Sequence, residues 1–199
     1  MYYKGKKLKG HTGVRSDLHG LGPRVRAELA KRLSNDDVRV LDVGTGLAGN
    51  AEFLAGSLSK GSRIWTLDPS SEVLAKAKKT LAAKGLGSRI QFVLASADET
   101  GFRTGFFEYV ISVMALHHIE DLKPTMKEMM RILKARGEIL LADFKPEAAD
   151  EFHFTTRHAK SDFFTPSHVA RILKREGADV VTHSFDFWYL IEATIPAAD

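Results

Sequence analysis

The chain alternates between two hydrophobic periods from about residue 22 to residue 196. Short runs of aliphatic and β-branched residues are typical of buried strands, and longer segments with apolar residues every three or four positions are typical of helices. Strands are predicted at 38–43, 64–67, 90–94, 109–113, 138–142, 180–183 and 187–195. Helices are predicted at 23–33, 47–58, 70–84, 122–133 and 166–176. This alternation indicates βαβ units and a parallel sheet.

The end of the chain departs from the alternation. Only residues 184–186 separate the last two predicted strands, which is too short for the crossover that parallel strands need. These strands therefore form a C-terminal hairpin, and the last strand runs antiparallel. The predicted fold is α/β: a doubly wound, Rossmann-like sheet of about seven strands, mostly parallel, with helices on both faces. One domain is expected over 22–199, after an arm at 1–21.

The arm holds the surplus of positive charge. The 199 residues include 29 Lys and Arg against 25 Asp and Glu, a net charge of +4. Five bases and no acid lie in the first 15 residues, and without them 24 bases face 25 acids: Lys4, Lys6, Lys7, Lys9 and Arg15. The arm is either a solubilising tail, a lid over a bound ligand, or a segment that grips the phosphates of a nucleic acid.

Composition excludes several kinds of site. The chain has no cysteine, so it has no disulfide framework, thiolate metal site or cysteine nucleophile. Asparagine occurs twice and glutamine once, a scarcity typical of heat-adapted proteins. No apolar stretch is long enough to span a membrane, and the first residues lack the apolar core of a signal peptide. A cytoplasmic protein without membrane contact is expected.

Three carboxylates accompany the first three predicted strands. Asp42 precedes a glycine turn, Asp68 ends the second strand, and Asp98 follows the third. In a doubly wound sheet the ligand crevice lies at the carboxyl ends of the strands. Gly44 and Gly46 allow a tight turn that a ligand can approach closely. A ribose bound by Asp68 and an adenine amine bound by Asp98 would place an adenosine across these strand ends.

The glycine turn alone has two interpretations. Gly44, Gly46 and Gly49 satisfy the G-x-G-x-x-G dinucleotide fingerprint, and Asp68 follows at about the expected distance. A nicotinamide-dependent dehydrogenase is therefore an alternative. Asp42 distinguishes the two, because its carboxylate would repel a pyrophosphate but attract an ammonium group. S-adenosylmethionine has an ammonium group and no phosphate.

Four segments in order resemble the successive motifs of the class I S-adenosylmethionine-dependent methyltransferases, in particular the type 11 subgroup: LDVGTGLAG, LDPSSEVLAKAKK, SADE and SVMALHHIED. The resemblance covers about residues 37–144. It implies an enzyme that transfers a methyl group from S-adenosylmethionine by in-line displacement and leaves S-adenosylhomocysteine. It also implies a set of cofactor-binding residues: Asp42, Gly44, Thr45, Gly46, Asp68, Pro69, Ala97 and Asp98. The chain departs from many members at Ala48, where they have a third glycine.

The same resemblance indicates candidate catalytic residues. His117 and His118 follow the fourth strand, where the family places residues beside the transferable methyl group. They either take part in proton transfer or only shape the site. His153 is a third candidate, because it lies in the segment 145–165, where the family commonly builds acceptor pockets. The family often folds the chain before the first strand over the cofactor, so Arg15, like His19, is a candidate for binding the methionine carboxylate.

The acceptor is expected to be a small molecule, because the chain is short and 145–165 has the composition of a partly apolar lid. One alternative is an RNA or protein acceptor held by the basic arm, and another is a cofactor-binding regulator without catalysis. No metal site is predicted, since no histidine spacing suits one. The terminal hairpin is expected to offer an apolar contact surface through four aromatic residues: Phe185, Phe187, Trp188 and Tyr189.

Overall fold

Helices and strands alternate along the chain as the hydrophobic pattern predicts. The computed structural model describes residues 2–3, 6–7, 21–151 and 160–197. The helices are α1 (Leu21–Ala30), α2 (Gly49–Ser57), α3 (Ser71–Ala83), α4 (Leu122–Ile132), α5 (Ala148–Glu151) and α6 (Pro166–Arg175). The strands are β1 (Tyr2–Tyr3), β2 (Lys6–Lys7), β3 (Arg39–Val43), β4 (Arg63–Asp68), β5 (Ile90–Leu94), β6 (Phe107–Val113), β7 (Leu133–Phe144), β8 (Asp179–Ser184) and β9 (Trp188–Thr194).

Seven of these strands form one sheet, in the order β5-β4-β3-β6-β7-β9-β8. The neighbours from β5 to β7 pair in parallel. In contrast, β9 pairs antiparallel with both β7 and β8. The antiparallel strand is thus the last one, as the short connection before it predicts. The predicted α/β fold, with a doubly wound and mostly parallel seven-stranded sheet, is confirmed.

Helices cover both faces of the sheet, as expected for parallel strands that are apolar on both sides. On one face, α1, α2 and α3 bury Val25, Leu54 and Leu81 against the strands. On the other face, α4 and α6 bury Met126 and Leu173. The loops at the strand ends are therefore anchored between two packed layers.

Helix starts follow local hydrogen bonding in the sequence. Ser70 caps α3, because its side chain accepts a hydrogen bond from the Val73 N–H at 3.0 Å. Thr165 caps α6 by accepting from the His168 N–H at 3.2 Å. Pro166 occupies the first turn of that helix, where its missing N–H costs nothing.

The helix predicted at 47–58 begins two residues late, at Gly49. The reason is Ala48, whose φ of 67° lies in the left-handed region and cannot belong to a right-handed helix. Ala48 is the position where many relatives of the resembled family have glycine. The chain keeps the left-handed conformation there without the residue that favours it.

Strand β7 begins five residues before the predicted start at 138. Phe107 pairs with Leu133, and the next paired residues are Tyr109 and Glu138. The intervening residues of β7 form a bulge, and Arg136 within it has a φ of 61°. The backbone therefore turns within the strand at Arg136, three residues after the start of β7 and before its second paired stretch.

The predicted aromatic contact surface of the terminal hairpin is wrong for two of its four residues. Trp188 and Tyr189 lie in the core, with 2% and 0% of their surface exposed. Trp188 stacks on Phe185 at a centroid distance of 3.9 Å. Phe185 and Phe187 are partly buried against the same core. Alternation along β9 turns successive aromatic side chains to opposite faces, and helices cover both faces.

Part of the N-terminal arm is described. Strands β1 and β2 pair antiparallel, with Tyr2 opposite Lys7. The candidate residues Arg15 and His19 lie outside the described residues. Within the described part of the chain, no helix combines the length and the apolar character that crossing a membrane requires.

A buried hydroxyl in the core gives a stability prediction. The Tyr189 side chain is fully buried, and its hydroxyl has no hydrogen-bond partner in the part of the chain that the structure describes. Burial and the nearby charge of Asp143 raise the pKa of Tyr189 above its ordinary value. We expect Tyr189→Phe to raise the free energy of unfolding by about 1 kcal/mol, since it removes an unpaired polar group. Urea denaturation measures this change.

Tyr109→Phe is the matched control, because the Tyr109 hydroxyl accepts a hydrogen bond from the Ser34 N–H at 3.3 Å. We expect this variant to lower or leave unchanged the free energy of unfolding. Stabilisation by Tyr109→Phe but not by Tyr189→Phe would contradict the assignment of the unpaired hydroxyl.

Candidate active site

The candidate residues gather where the strand order of the sheet reverses. Strand β3 lies between β4 and β6, so the turn after β3 and the turn after β6 flank one crevice. This topological switch point is where open α/β sheets bind their ligands. The turn after β3 carries Gly44 and Gly46, and the turn after β6 carries His117 and His118.

The glycine turn is held tightly against the neighbouring strand. The N–H groups of Gly44 and Thr45 both donate to the Leu67 carbonyl, at 2.9 and 3.1 Å. Gly44 has a φ of 92°, and a Cβ on it would lie 2.5 Å from the Cβ of Ala115. Glycine is therefore required at this position both by the backbone conformation and by the close approach of the turn after β6.

Asp42 is buried next to this turn, with no exposed surface. Its Oδ2 accepts from the Thr66 hydroxyl at 2.8 Å. Since that hydroxyl is already donating, the Thr45 hydroxyl donates to Thr66, at 2.7 Å. Among the described residues, no donor meets hydrogen-bonding geometry with Asp42 Oδ1, although the Asn50 side chain is near enough to act on the carboxylate. The carboxylate is thus held in place through one oxygen, while the other has no well-formed hydrogen bond from the described residues.

This burial changes the ionisation of Asp42. Loss of water raises the pKa of Asp42 to about 7, and the charge of Asp68 adds to the rise. The side chains of Thr66 and Asn50 oppose it. Asp42 therefore changes charge near neutral pH, and a bound cation would favour its ionised form.

Asp68 connects the glycine turn to the start of α3. Its Oδ1 accepts from the Ser70 N–H at 2.9 Å, and its Oδ2 accepts from the Gly46 N–H at 3.4 Å. Burial raises the pKa of Asp68 above its ordinary value, although these backbone bonds oppose the rise. Pro69 follows it and is half-buried. The structure thus brings Asp42, Gly46 and Asp68 together.

Ala97 and Asp98 lie in the loop after β5, next to the end of β4. The Ser96 hydroxyl donates to the Asp98 carboxylate, and a short backbone bridge joins Ser96 to Glu99. Ala97 packs partly against the core. The loop is therefore an ordered turn directly after β5, whose last residue, Leu94, pairs with Asp68 at the end of β4.

His117 forms a buried pair with an acid that the sequence interpretation missed. Its Nδ1 lies 2.7 Å from Asp143 Oδ1, and both side chains are almost fully buried. Asp143 is at the carboxyl end of β7, within the apolar run LLADF. An acidic residue at the end of an otherwise apolar core strand is the sequence signal that could have identified Asp143. His118 is exposed, with its ring centroid 4.3 Å from that of His117.

Aromatic rings surround His117 on the side of the predicted lid. The ring centroid of Phe163 lies 5.0 Å from that of His117, and that of Phe144 lies 6.2 Å away. Phe163 is buried and follows the short turn Lys160–Asp162. The predicted apolar side of this segment is therefore present at Phe163, whereas His153 lies outside the described residues.

Two further features of the site were not foreseen. Thr66 and Asn50 act on the Asp42 carboxylate, but neither belongs to a recognised motif. Met114, at the end of β6, has a φ of 54°, so left-handed non-glycine residues flank the crevice at both Met114 and Ala48. Among the described residues, no group of three or more acids and histidines is placed to hold a metal ion.

The close contact at Gly44 gives a direct test of the turn. We expect Gly44→Ala to lower the free energy of unfolding by about 2 kcal/mol, because its φ is left-handed and its Cβ would overlap Ala115. Gly56→Ala is the control, since Gly56 lies in α2 and nothing is within 4 Å of a Cβ there. That variant is expected to stabilise the protein by about 0.5–1 kcal/mol. Equal effects would contradict the tight turn.

Comparison with known proteins bears directly on this site. Residues 41–141 match a family model described as a methyltransferase domain. The chain is 30% identical over 128 residues to the ubiquinone/menaquinone biosynthesis C-methyltransferase UbiE of Rickettsia felis. The match covers 63% of this chain and 52% of that protein. The chain spans about half the length of the curated relatives it matches.

Solved structures share the fold at low sequence identity. A SAM-dependent methyltransferase from Aquifex aeolicus superposes with a TM-score of 0.74 and 16% identity, covering 85% of this chain and 89% of that one. The [4+2]-cyclase SpnF superposes with a TM-score of 0.77 and 15% identity, covering 95% and 87%. At these identities the likeness shows the fold alone.

Proposed function

Because the chain belongs to the methyltransferase domain family, we propose that it transfers a methyl group from S-adenosylmethionine to a small-molecule acceptor. The observation that carries the proposal is Asp42, which is buried beside the glycine turn with one oxygen lacking a donor. A buried carboxylate of this kind favours a cationic ligand and opposes a pyrophosphate. The methyltransferase interpretation is thus favoured over the dehydrogenase alternative.

The residues at the strand ends fit S-adenosylmethionine. Its ammonium group is a donor of the kind that Asp42 Oδ1 lacks. Asp68 retains acceptor capacity beyond its two backbone bonds and suits the ribose hydroxyls. We assign the methionine portion to the turn Gly44, Thr45 and Gly46. The ribose belongs to Asp68 and Pro69, and the adenine to the loop of Ala97 and Asp98.

The chain's contribution to the reaction is mainly alignment. When bound, S-adenosylmethionine supplies a methyl group on a cationic sulfur. The glycine turn and the turn carrying His117 and His118 lie on adjacent strands, so they hold the two reactants on facing sides of one crevice. Alignment of this kind lowers a barrier by roughly 7–11 kcal/mol. The buried rings of Phe144 and Phe163 keep water from the acceptor side.

The acceptor is proposed to be small and at least partly apolar. Phe144 and Phe163 beside His117 favour a ligand that tolerates an aromatic environment. The relative UbiE is named for quinone biosynthesis, which is consistent with an acceptor of aromatic character. His117, His118 and His153 remain the candidate catalytic residues, and Arg15 remains the candidate partner of the methionine carboxylate.

Two other functions use the same fold. The first alternative is an RNA or protein acceptor held by the basic arm, which includes Lys6 and Lys7. Loss of salt-dependent RNA binding on deletion of residues 1–15 would favour this alternative. A regulator that binds the cofactor without catalysis is the second alternative, and tight binding of S-adenosylmethionine without turnover would favour it. Transfer of a labelled methyl group from S-adenosylmethionine to the small-molecule fraction of a cell extract supports the proposal. Labelled RNA or protein, or no labelled product, would favour the alternatives.

The remaining proposals concern the whole chain. We propose a single catalytic domain over 22–199 and an arm at 1–21 that covers the site. The composition supports a cytoplasmic and heat-adapted protein. An unfolding midpoint far above the ~45–65 °C of mesophilic domains would support heat adaptation.

The ionisation of Asp42 predicts how affinity depends on pH. Its pKa of about 7 means that the carboxylate becomes protonated as the pH falls below that value. We expect the Kd of S-adenosylmethionine to rise by about tenfold per pH unit below pH 7, because a protonated Asp42 cannot pair with an ammonium group. Calorimetric titration from pH 5 to 8 measures this change. Asp42→Asn should bind weakly without this slope, and Asp179→Asn, on β8, should retain it.

The ionisation of Asp42 also affects the stability of the ligand-free protein. Stability is expected to fall as pH rises, whereas affinity for S-adenosylmethionine is expected to increase. Because the folded pKa of Asp42 lies above its ordinary value, its ionisation costs the ligand-free protein stability as pH rises through about 7. Asp42→Asn removes that cost. We expect the variant to gain stability relative to the wild type as pH increases from about 4 to about 7, with no further gain at higher pH, measured by urea denaturation. A gain that is independent of pH would contradict the buried carboxylate.

A further inference from the structure

We propose that Asp143 is a positioning residue that orients His117 as the base for the methyl acceptor. The acceptor is then a molecule whose receiving atom carries a hydrogen, such as a hydroxyl, phenol or enol. This inference rests on the proposed function and deepens it. It adds a residue outside the recognised motifs and a chemical class for the unidentified acceptor.

Asp143 forms two contacts with His117 in the turn after β6. Its Oδ2 accepts from the His117 backbone N–H at 3.0 Å, and its Oδ1 contacts the ring Nδ1 at 2.7 Å. The Phe144 N–H also donates to Oδ1, at 2.7 Å. One carboxylate thus fixes both the backbone and the ring of His117.

These contacts determine the tautomer of His117. Both oxygens of Asp143 accept hydrogen bonds from backbone N–H groups, so the side chain acts as an acceptor towards its neighbours. Nδ1 must then be the donor, so the lone pair of the neutral ring is on Nε2. A carboxylate in this relation to an imidazole stabilises the imidazolium that forms when Nε2 takes a proton.

The surroundings of the His117–Asp143 pair favour the uptake of a proton by His117. The side chains of His117 and Asp143 are 4% and 2% exposed, so water does not screen their interaction. The ionisable neighbours among the described residues are Tyr189, opposite Asp143 in the sheet, and His118, on the same turn. Lys160 and Asp162 belong to the turn next to Phe163, which packs on the His117 ring.

The location of the pair suits methyl transfer. Ala115, two residues before His117, is in contact range of Gly44 in the glycine turn. The turn of His117 is therefore next to the turn assigned to the methionine portion of the cofactor. A buried imidazole–carboxylate pair there has a role in proton transfer that a structural pair elsewhere in the sheet would not have.

In the proposed methyl transfer, the acceptor loses one proton and gains the methyl group. The hydrogen on the receiving atom of the acceptor leaves as a proton to Nε2 of His117. The electron pair freed on that atom forms the bond to the methyl carbon. The sulfur keeps the electron pair of the broken carbon–sulfur bond and becomes a neutral thioether. A tertiary amine or thioether acceptor has no such proton and would not need His117.

The first test needs no acceptor. Long-range proton–nitrogen NMR spectra of the wild type, with the His117 signal assigned by its loss in His117→Gln, report which ring nitrogen carries hydrogen. We expect a hydrogen on Nδ1 and none on Nε2 in the neutral ring. A neutral ring with its hydrogen on Nε2 would overturn the proposal.

The second test measures methyl transfer from labelled S-adenosylmethionine to the small-molecule fraction of a cell extract. We expect Asp143→Asn and His117→Gln to lower the rate by about 10²-fold or more while the cofactor Kd is unchanged. The wild-type rate should rise with pH through one ionisation, and His117→Gln should lose that rise. His183→Gln is the matched control, because His183 also pairs with a carboxylate, Glu192, but on β8.

The outcomes separate the two proposals. No labelled product from the wild type would overturn the proposed function, while the NMR result would still decide the tautomer. Labelled product with equal rates and pH profiles in wild type, Asp143→Asn and His117→Gln would overturn this inference alone. A loss of rate that is accompanied by an equal loss of cofactor binding would show a structural role and would also overturn it.

Discussion

A carboxylate buried at the end of the central strand is the constraint on which the rest of the site depends. Asp42 is removed from water, and one of its oxygens has no well-formed hydrogen bond from the described residues, so its ionised form is costly in the absence of a cation. Thr66 and Thr45 hold the other oxygen through a short chain of hydroxyls. This arrangement is the basis of the proposal that the site binds a cationic ligand without a phosphate.

A second buried carboxylate lies on the opposite face of the sheet. Asp42 shares its face with Val40, under α1 to α3, whereas Asp143 shares its face with Leu141, under α4 and α6. Asp143 forms a buried pair with His117. For Asp42, in contrast, we propose that the partner is a cationic group of the ligand. The turns next to these two acids, after β3 and after β6, meet at the close contact between Gly44 and Ala115.

Hydrophobic periodicity was sufficient to predict the sheet, because its inner strands β4, β3, β6, β7 and β9 are largely buried, whereas the edge strand β8 is exposed or half-buried along its length. It missed the left-handed residues Ala48 and Met114, since their conformation is imposed by packing at the crevice. It also missed the pairing of His117 with Asp143. These residues are 26 apart in sequence and meet only because β6 and β7 are neighbours.

Motif spacing indicated the acids at the strand ends, and their placement next to one another follows from parallel pairing. The roles assigned to them depend on the identity of the ligand. Calorimetric titration of the wild-type protein with S-adenosylmethionine and, separately, with NAD tests that identity most directly. Saturable binding of S-adenosylmethionine, one per chain, without binding of NAD is the predicted result. Binding of NAD, or no heat with S-adenosylmethionine, would contradict the account.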